Sequence, residues 1–212
     1  MNSRSFVRCW GAFRRNTQGS AAVEFAVWIG ALAVPTFGAV DVGFYGFQTL
    51  QVHNAAQMAA QAAWAACNTS ALQPATANCG GSGKTLNGAI QHGEQSTPLG
   101  ARVTLAADSA STPSREQFWC VNSSGQVTLA TGATSGKIAT NSGDVDTSGN
   151  DTAAVLNGAT CSYGASGSAA PGDYVIVTVQ YTYHPIIKAL SVVNLLNGGN
   201  ATITQTAWTR IA

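Results

Sequence analysis

Glu24 is a lone acid in an apolar string, Ala21-Ala22-Val23-Glu24-Phe25-Ala26. A buried carboxylate needs a partner, and the nearest cation open to it would be a new chain N-terminus, produced by a cut just upstream. A second acid, Asp41, comes 17 residues later, about 25 Å along a helix. At the end of an apolar stretch it is expected to reach the headgroup level, as ionisable residues near span ends do. The other chemistry-bearing groups are scattered. Gly83-Lys84-Thr85 lacks the first glycine of a phosphate loop, since Asn78 stands there, and no strand precedes it. His92-Gly93-Glu94 has no second histidine at metal spacing and is expected at the surface. Asp144-Val145-Asp146-Thr147-Ser148-Gly149-Asn150-Asp151 has the alternating oxygens and sixth-position glycine of a calcium loop. Val155 occupies the place of its closing acid, so a solvated polar loop is the expectation. No Ser/His/Asp set or metal spacing emerges, so no enzyme, cofactor or metal site is expected.

These groups are positioned by one long element. Phe25 to Val40 is sixteen residues without a formal charge, and continuing to Phe47 adds only Asp41. A bilayer core of about 30 Å needs about 20 helical residues, so the stretch can span. Its glycines and Pro35 make it a poor Leu-type anchor, while small residues let helix backbones approach one another. The head, residues 1–18, carries Arg4, Arg8, Arg14 and Arg15 and no acid, which places it in the cytoplasm by the positive-inside rule. Beyond the span, residues 48–66 are rich in Ala and Gln, with no Gly or Pro, a composition that favours helix. Val52, Ala55, Ala56, Ala59, Ala62, Ala63 and Ala66 share a face. That face is expected to pack on the chain's own domain, with packing on neighbouring subunits as the other option. Less than half of a continuous helix from Ser20 to Ala66 fits in lipid, leaving a stalk of roughly 40 Å. Pro35 is expected to kink it.

The remainder reads as a β-rich domain. ARVTLAA, QFWCV and QVTLA alternate like short strands, with Ser123-Ser124-Gly125 as a turn between the last two. DYVIVTVQYTY (173–183) is the strongest strand and is expected to pair antiparallel with 201–211. Between them, PIIKALSVVNLLN reads as a short helix with Pro185 in its first turn and Gly198 at its end, either covering the core or docking elsewhere. Residues 67–100 read as a loop and 131–172 as a polar surface excursion. Cys9 lies in the head; Cys67, Cys79, Cys120 and Cys161 lie beyond the span. An even count in an oxidising compartment points to two disulfides. Local closure favours Cys67–Cys79, which leaves Cys120–Cys161; no paired CxxC spacing supports zinc. Charged residues make up only 9% of the chain, and no basic face calls for nucleic acid.

Gly19, followed by Ser20-Ala21-Ala22-Val23-Glu24-Phe25, resembles the processing site of type IV prepilins. It is most similar to the Flp/Tad branch, in which Gly precedes the cut, Glu is fifth after it and an aromatic is sixth. Phe25 stands where the major pilin of that branch usually has Tyr. The continuation to Ala66 resembles TadE-like minor pilins (pseudopilins), and the ending, Val175–Tyr183, Pro185 and Thr202–Arg210, resembles that family's tail. The chain is much longer than a major pilin.

The resemblance implies a pilin-like α+β fold: a long N-terminal transmembrane and stalk helix, then a small antiparallel β-sheet domain with long polar loops. The expected division is a basic cytoplasmic leader (1–19), the transmembrane and stalk helix (20–66) and an extracytoplasmic β-rich domain (67–212). It also implies a single-pass protein of the bacterial inner membrane with a periplasmic C-terminal domain, able to enter a surface pilus. Its partners would be the membrane, a prepilin peptidase cutting between Gly19 and Ser20, other pilin subunits and the assembly platform. Glu24 and Phe25 would act in assembly. Cleavage as an ordinary secretory signal near Ala31-Leu32-Ala33 and an uncut anchor are the competing readings. In the uncut case the protein would be a membrane-tethered binding domain presenting the 131–172 loop.

Overall fold

The computed structural model describes residues 17–69, 74–79, 86–106, 115–121, 124–138, 154–155, 161, 171–186, 188, 191–199 and 201–211. The arginine-rich head with Cys9, the Gly83-Lys84-Thr85 string and the 144–151 loop lie outside the described residues.

Helix α1 runs from Thr17 to Ala66, 50 residues, about 75 Å at the standard rise. Pro35 sits inside it and removes one donor from the ladder, yet the helix continues on both sides. Thr36 Oγ1 donates to the Leu32 carbonyl at 2.8 Å in the same turn. α1 is one helix long and apolar enough to cross a membrane.

The chain divides into two compact units. One comprises Met1–Tyr45 and His184–Gly199; the other comprises Gly46–Tyr183 and Asn200–Ala212.

In the second unit, the small-residue face of α1 is buried at Val52, Ala55, Ala56, Ala59, Ala60 and Ala63, while Ala62 is half-buried and Ala66 exposed. The chain's own domain therefore covers most of this face. Two helices occupy the stretch read as loop: α2, Ala75–Asn78, and α3, Leu86–Gln95. α3 was hidden by its two glycines, which lower helix propensity. One of them, Gly93, is there for contact. A Cβ on it would lie 2.7 Å from the Met58 carbonyl oxygen and 2.9 Å from the Ala59 Cα, so only glycine lets α3 close on α1. Leu86 and Ile90 complete the buried side of α3. A 3-10 turn, Gly100–Arg102, leads into the sheet.

The sheet comprises β1 (Thr104–Leu105), β2 (Arg115–Val121), β3 (Val127–Leu129), β4 (Gly136–Lys137), β5 (Gly172–Thr182) and β6 (Thr202–Arg210), all paired antiparallel. β5 is central. β6 pairs along its whole length, from Tyr174↔Arg210 to Thr182↔Thr202. β2 and β1 share the other edge of β5, at Arg115↔Ile176 and Thr104↔Gln180. β3 and β4 then share the far edge of β2. The β2–β3 hairpin turns at Ser124-Gly125, with Gly125 at φ 75°, where the turn was expected. Val175, Val177, Val179, Tyr181 and Tyr183 are buried as the alternation predicts.

The excursion after residue 130 is less free than expected. β4 pairs with β2, Thr134 bridges Val155, and Ile138 and Ala154 are buried. Cys67 bonds Cys79 and Cys120 bonds Cys161, the pairing that local closure favours. The second bond sits in a small cluster with Phe118, Ala130 and Ala154. Each is worth about 2–4 kcal/mol in the loop-closure account.

Candidate functional site

Gly19, Ser20, Glu24 and Phe25 all lie in the first turns of α1. Ser20 and Glu24 are four residues apart, hence one turn apart on the same side. A Cβ on Gly19 would meet nothing within 4 Å. Phe25 is 67% exposed and Trp28 62% exposed, and Val23, Val27, Leu32 and Val34 are as bare. Glu24 is exposed on this apolar surface. A water-soluble helix would hide such a surface; here the most apolar part of the chain is its least covered part.

At the other end of this apolar stretch Asp41 is held by the chain itself: it is only 8% exposed. Its Oδ2 accepts from Ser191 Oγ at 2.9 Å and from the Val193 N–H at 3.2 Å. Ser191 is the N-cap of α4 (Val192–Leu196), its hydroxyl oxygen accepting the Asn194 N–H at 3.1 Å. The expected helix from Pro185 is thus shorter and later. It starts where a serine can cap it, and the chain turns at Gly198 with φ 69°. Gly38 permits the docking, since a Cβ there would lie 3.2 Å from Val192 Cγ2. The residues left open as core cover or docking element belong with the span. The serine before an apolar run was the available signal, but nothing in the spacing links it to an acid 150 residues upstream.

Among its described residues the β-domain holds three buried acids, Glu94, Glu116 and Asp173. Pro74, N-cap of α2, offers no side-chain acceptor. Glu116 of β2 supplies one: it accepts the Ala75 N–H at 2.5 Å, the Thr76 N–H at 2.7 Å and the Thr76 hydroxyl. Thr76 Oγ1 in turn accepts the Ala154 N–H at 2.7 Å. Asp173 of β5 lies on the same sheet face as Glu116, one register step away. Burial, then the neighbouring Glu116 charge, push the Asp173 pKa up to about 8, so it keeps its proton at neutral pH. Glu116, committed to these donors, fastens α2 to the sheet, while both carboxyl oxygens of Asp173 are buried without a hydrogen-bond partner. Glu94 of α3, expected at the surface, is also buried, and burial pushes its pKa up to about 7.

The arrangement defines a class: an α+β protein with one membrane-spanning candidate helix, whose bare apolar half carries an acid, and a small disulfide-linked antiparallel sheet. Residues 19–61 match the family model for TadE-like protein. No curated protein and no solved structure matches the chain.

Proposed function

We propose that this chain is a minor pilin or pseudopilin of a Tad/Flp type pilus or a related secretion machine. The arginine-rich head stays in the cytoplasm, α1 crosses the inner membrane, and the β-domain stands in the periplasm or on the filament. A prepilin peptidase cuts after Gly19, leaving the α-amine of Ser20. Glu24 of one subunit then pairs with that amine of a neighbour. Pairing removes the cost of an unpartnered acid among apolar helices and so sets subunit register. In this reading the chain is structural rather than enzymatic. The observation that carries it is the bare apolar first half of α1, with exposed Glu24, inside the TadE-like segment.

The N-terminus of the membrane-extracted protein, read by intact mass and terminal sequencing with and without a prepilin peptidase, tests it. A peptidase-dependent start at Ser20 is the expected result. A start beyond Ala33 would mean a released protein and would overturn the Glu24 mechanism.

A start at Met1 would favour the second reading, an uncleaved membrane-anchored binding domain. One observation speaks for that reading. Strand register puts Trp119, Val121, Val127, Leu129 and Trp208 on one sheet face, all but Trp119 exposed. The rings of Trp119 and Trp208 lie 5.9 Å apart. That is an apolar surface a partner could cover.

A further inference from the structure

We infer that the segment His184–Gly199 is a second membrane contact, a lipid-inserting knob clamped to the outer end of the span. The inference rests on the reading of α1 as a membrane span. Twenty residues at 1.5 Å each cover the hydrocarbon core, so a core that begins at Ala21 ends at Val40. The two docking points of the segment fall at that boundary. Val192 packs at Gly38, and Ser191 with the Val193 N–H holds Asp41. Once α4 is fixed there, its last two residues are the barest large apolar side chains among the described residues: Leu195 is 81% exposed and Leu196 80%. Ile186 is exposed as well. Phe37 and Val40, which flank the Gly38 docking point along α1, are exposed apolar residues too, and the same reading already places them in lipid.

Charge agrees. Residues 184–199 contain no acid, and their one lysine, Lys188, is exposed. A short apolar element with a lone cation beside it suits the boundary of an anionic phospholipid leaflet, apolar side chains among the acyl chains and ammonium among the phosphates. Asp41 does two things in this scheme. Its carboxylate is satisfied by Ser191 and the α4 backbone, which allows an acid at the edge of the hydrocarbon, and the same bonds fix the level at which the knob enters.

The test uses the full chain carrying Cys9→Ser, with a single Leu195→Cys or Leu196→Cys labelled with an environment-sensitive fluorophore. It is reconstituted in phosphatidylethanolamine/phosphatidylglycerol vesicles. Quenching is compared for nitroxides on the headgroup, nitroxides on the acyl chain and an aqueous quencher. A label at Val34→Cys reports the span and one at Thr204→Cys reports the exposed strand. The expected result is blue-shifted emission at 195 and 196, lost mostly to shallow acyl-chain nitroxides, with the 204 label lost to the aqueous quencher. Asp41→Ala is expected to move the 195 label toward the aqueous response. Emission at 195 that follows the 204 label while the 34 label is quenched in lipid overturns the knob alone. A 195 label shielded from both quenchers indicates a protein neighbour and overturns the lipid assignment. A 34 label open to the aqueous quencher removes the span itself, and the knob with it.

Discussion

The two halves of α1 make opposite use of the same helix. From Ala21 to Val40 the large apolar side chains, Phe25, Trp28 and Leu32 among them, are bare, whereas from Val52 to Ala63 an alanine face is covered. Apolarity and burial run in opposite directions along one element. In a protein folded wholly in water the more apolar half would be inside. The contrast shows that the domain needs only the modest alanine face to complete its interior. The first half is built for a medium the chain does not supply, lipid or other helices. Small residues serve both halves by allowing close approach: Gly38 admits α4, and the face around Ala59 admits α3 through Gly93.

The sharpest way to break this contrast is to remove the acid from the bare half. Glu24→Ala is expected to leave the protein in the membrane, because it removes a charge from the apolar stretch, and the β-domain folded, because Glu24 is exposed on α1. Assembly into filaments is expected to be lost. Shearing and immunoblotting of surface filaments, alongside membrane fractionation, checks this. Normal piliation with the variant would remove Glu24 from the mechanism.

Packing comes next. Ala59→Leu or Gly93→Val overfills the contact between α1 and α3, where backbone atoms already sit within 3 Å of the position a Cβ would take. A loss of roughly 1–3 kcal/mol or more is expected, read as a lower melting temperature of the protein in detergent. Leu32→Ala removes more apolar surface but from a bare position, and is expected to change the melting of the domain by less than about 0.5 kcal/mol. Equal effects from the two halves would mean the contrast is not energetic.

Periodicity made much of this legible. Strands β5 and β6 and their antiparallel pairing follow from alternation, as does the β2–β3 hairpin, because a half-buried sheet enforces period two. The alanine face of α1 follows from period 3.6 in the same way. What stayed hidden depends on residues distant in sequence. Glu94 reads as a surface acid beside a glycine, yet that glycine exists to bring α3 against α1, and the approach buries its neighbour. Asp41 reads as a headgroup acid because the sequence does not show that Ser191 will reach it. Glu116 sits in a strand whose alternation predicts only that it faces inward, not that α2 lacks a cap. The segment Gly19–Phe25 is the reverse case: its message is carried by residue order, and the fold adds only that it is helical, with Glu24 and Phe25 bare.

A pH effect separates the acids of the domain from those of the apolar stretch. Asp173 and Glu94 have folded pKa values of about 8 and about 7 against ordinary values of 3.8 and 4.5. Between the ordinary and the raised value the folded protein binds the extra proton, so stability falls as pH rises, by up to about 1.4 kcal/mol per pH unit for each group. The full contribution of the neutral forms is present in acid. It is lost through about pH 7 for Glu94 and through about pH 8 for Asp173. The melting temperature is therefore expected to drop between pH 5 and pH 8.5. Above about pH 7 the slope comes mainly from Asp173, so Asp173→Asn should flatten that last part and weaken the slope below it, whereas Glu94→Gln should weaken the slope only below about pH 7. Asn at 173 keeps the size of the side chain and leaves the bonds from Glu116 to α2 in place. A melting temperature that rises with pH would mean these acids are ionised and partnered in the fold, and the interior would then have to supply donors other than those that now serve Glu116.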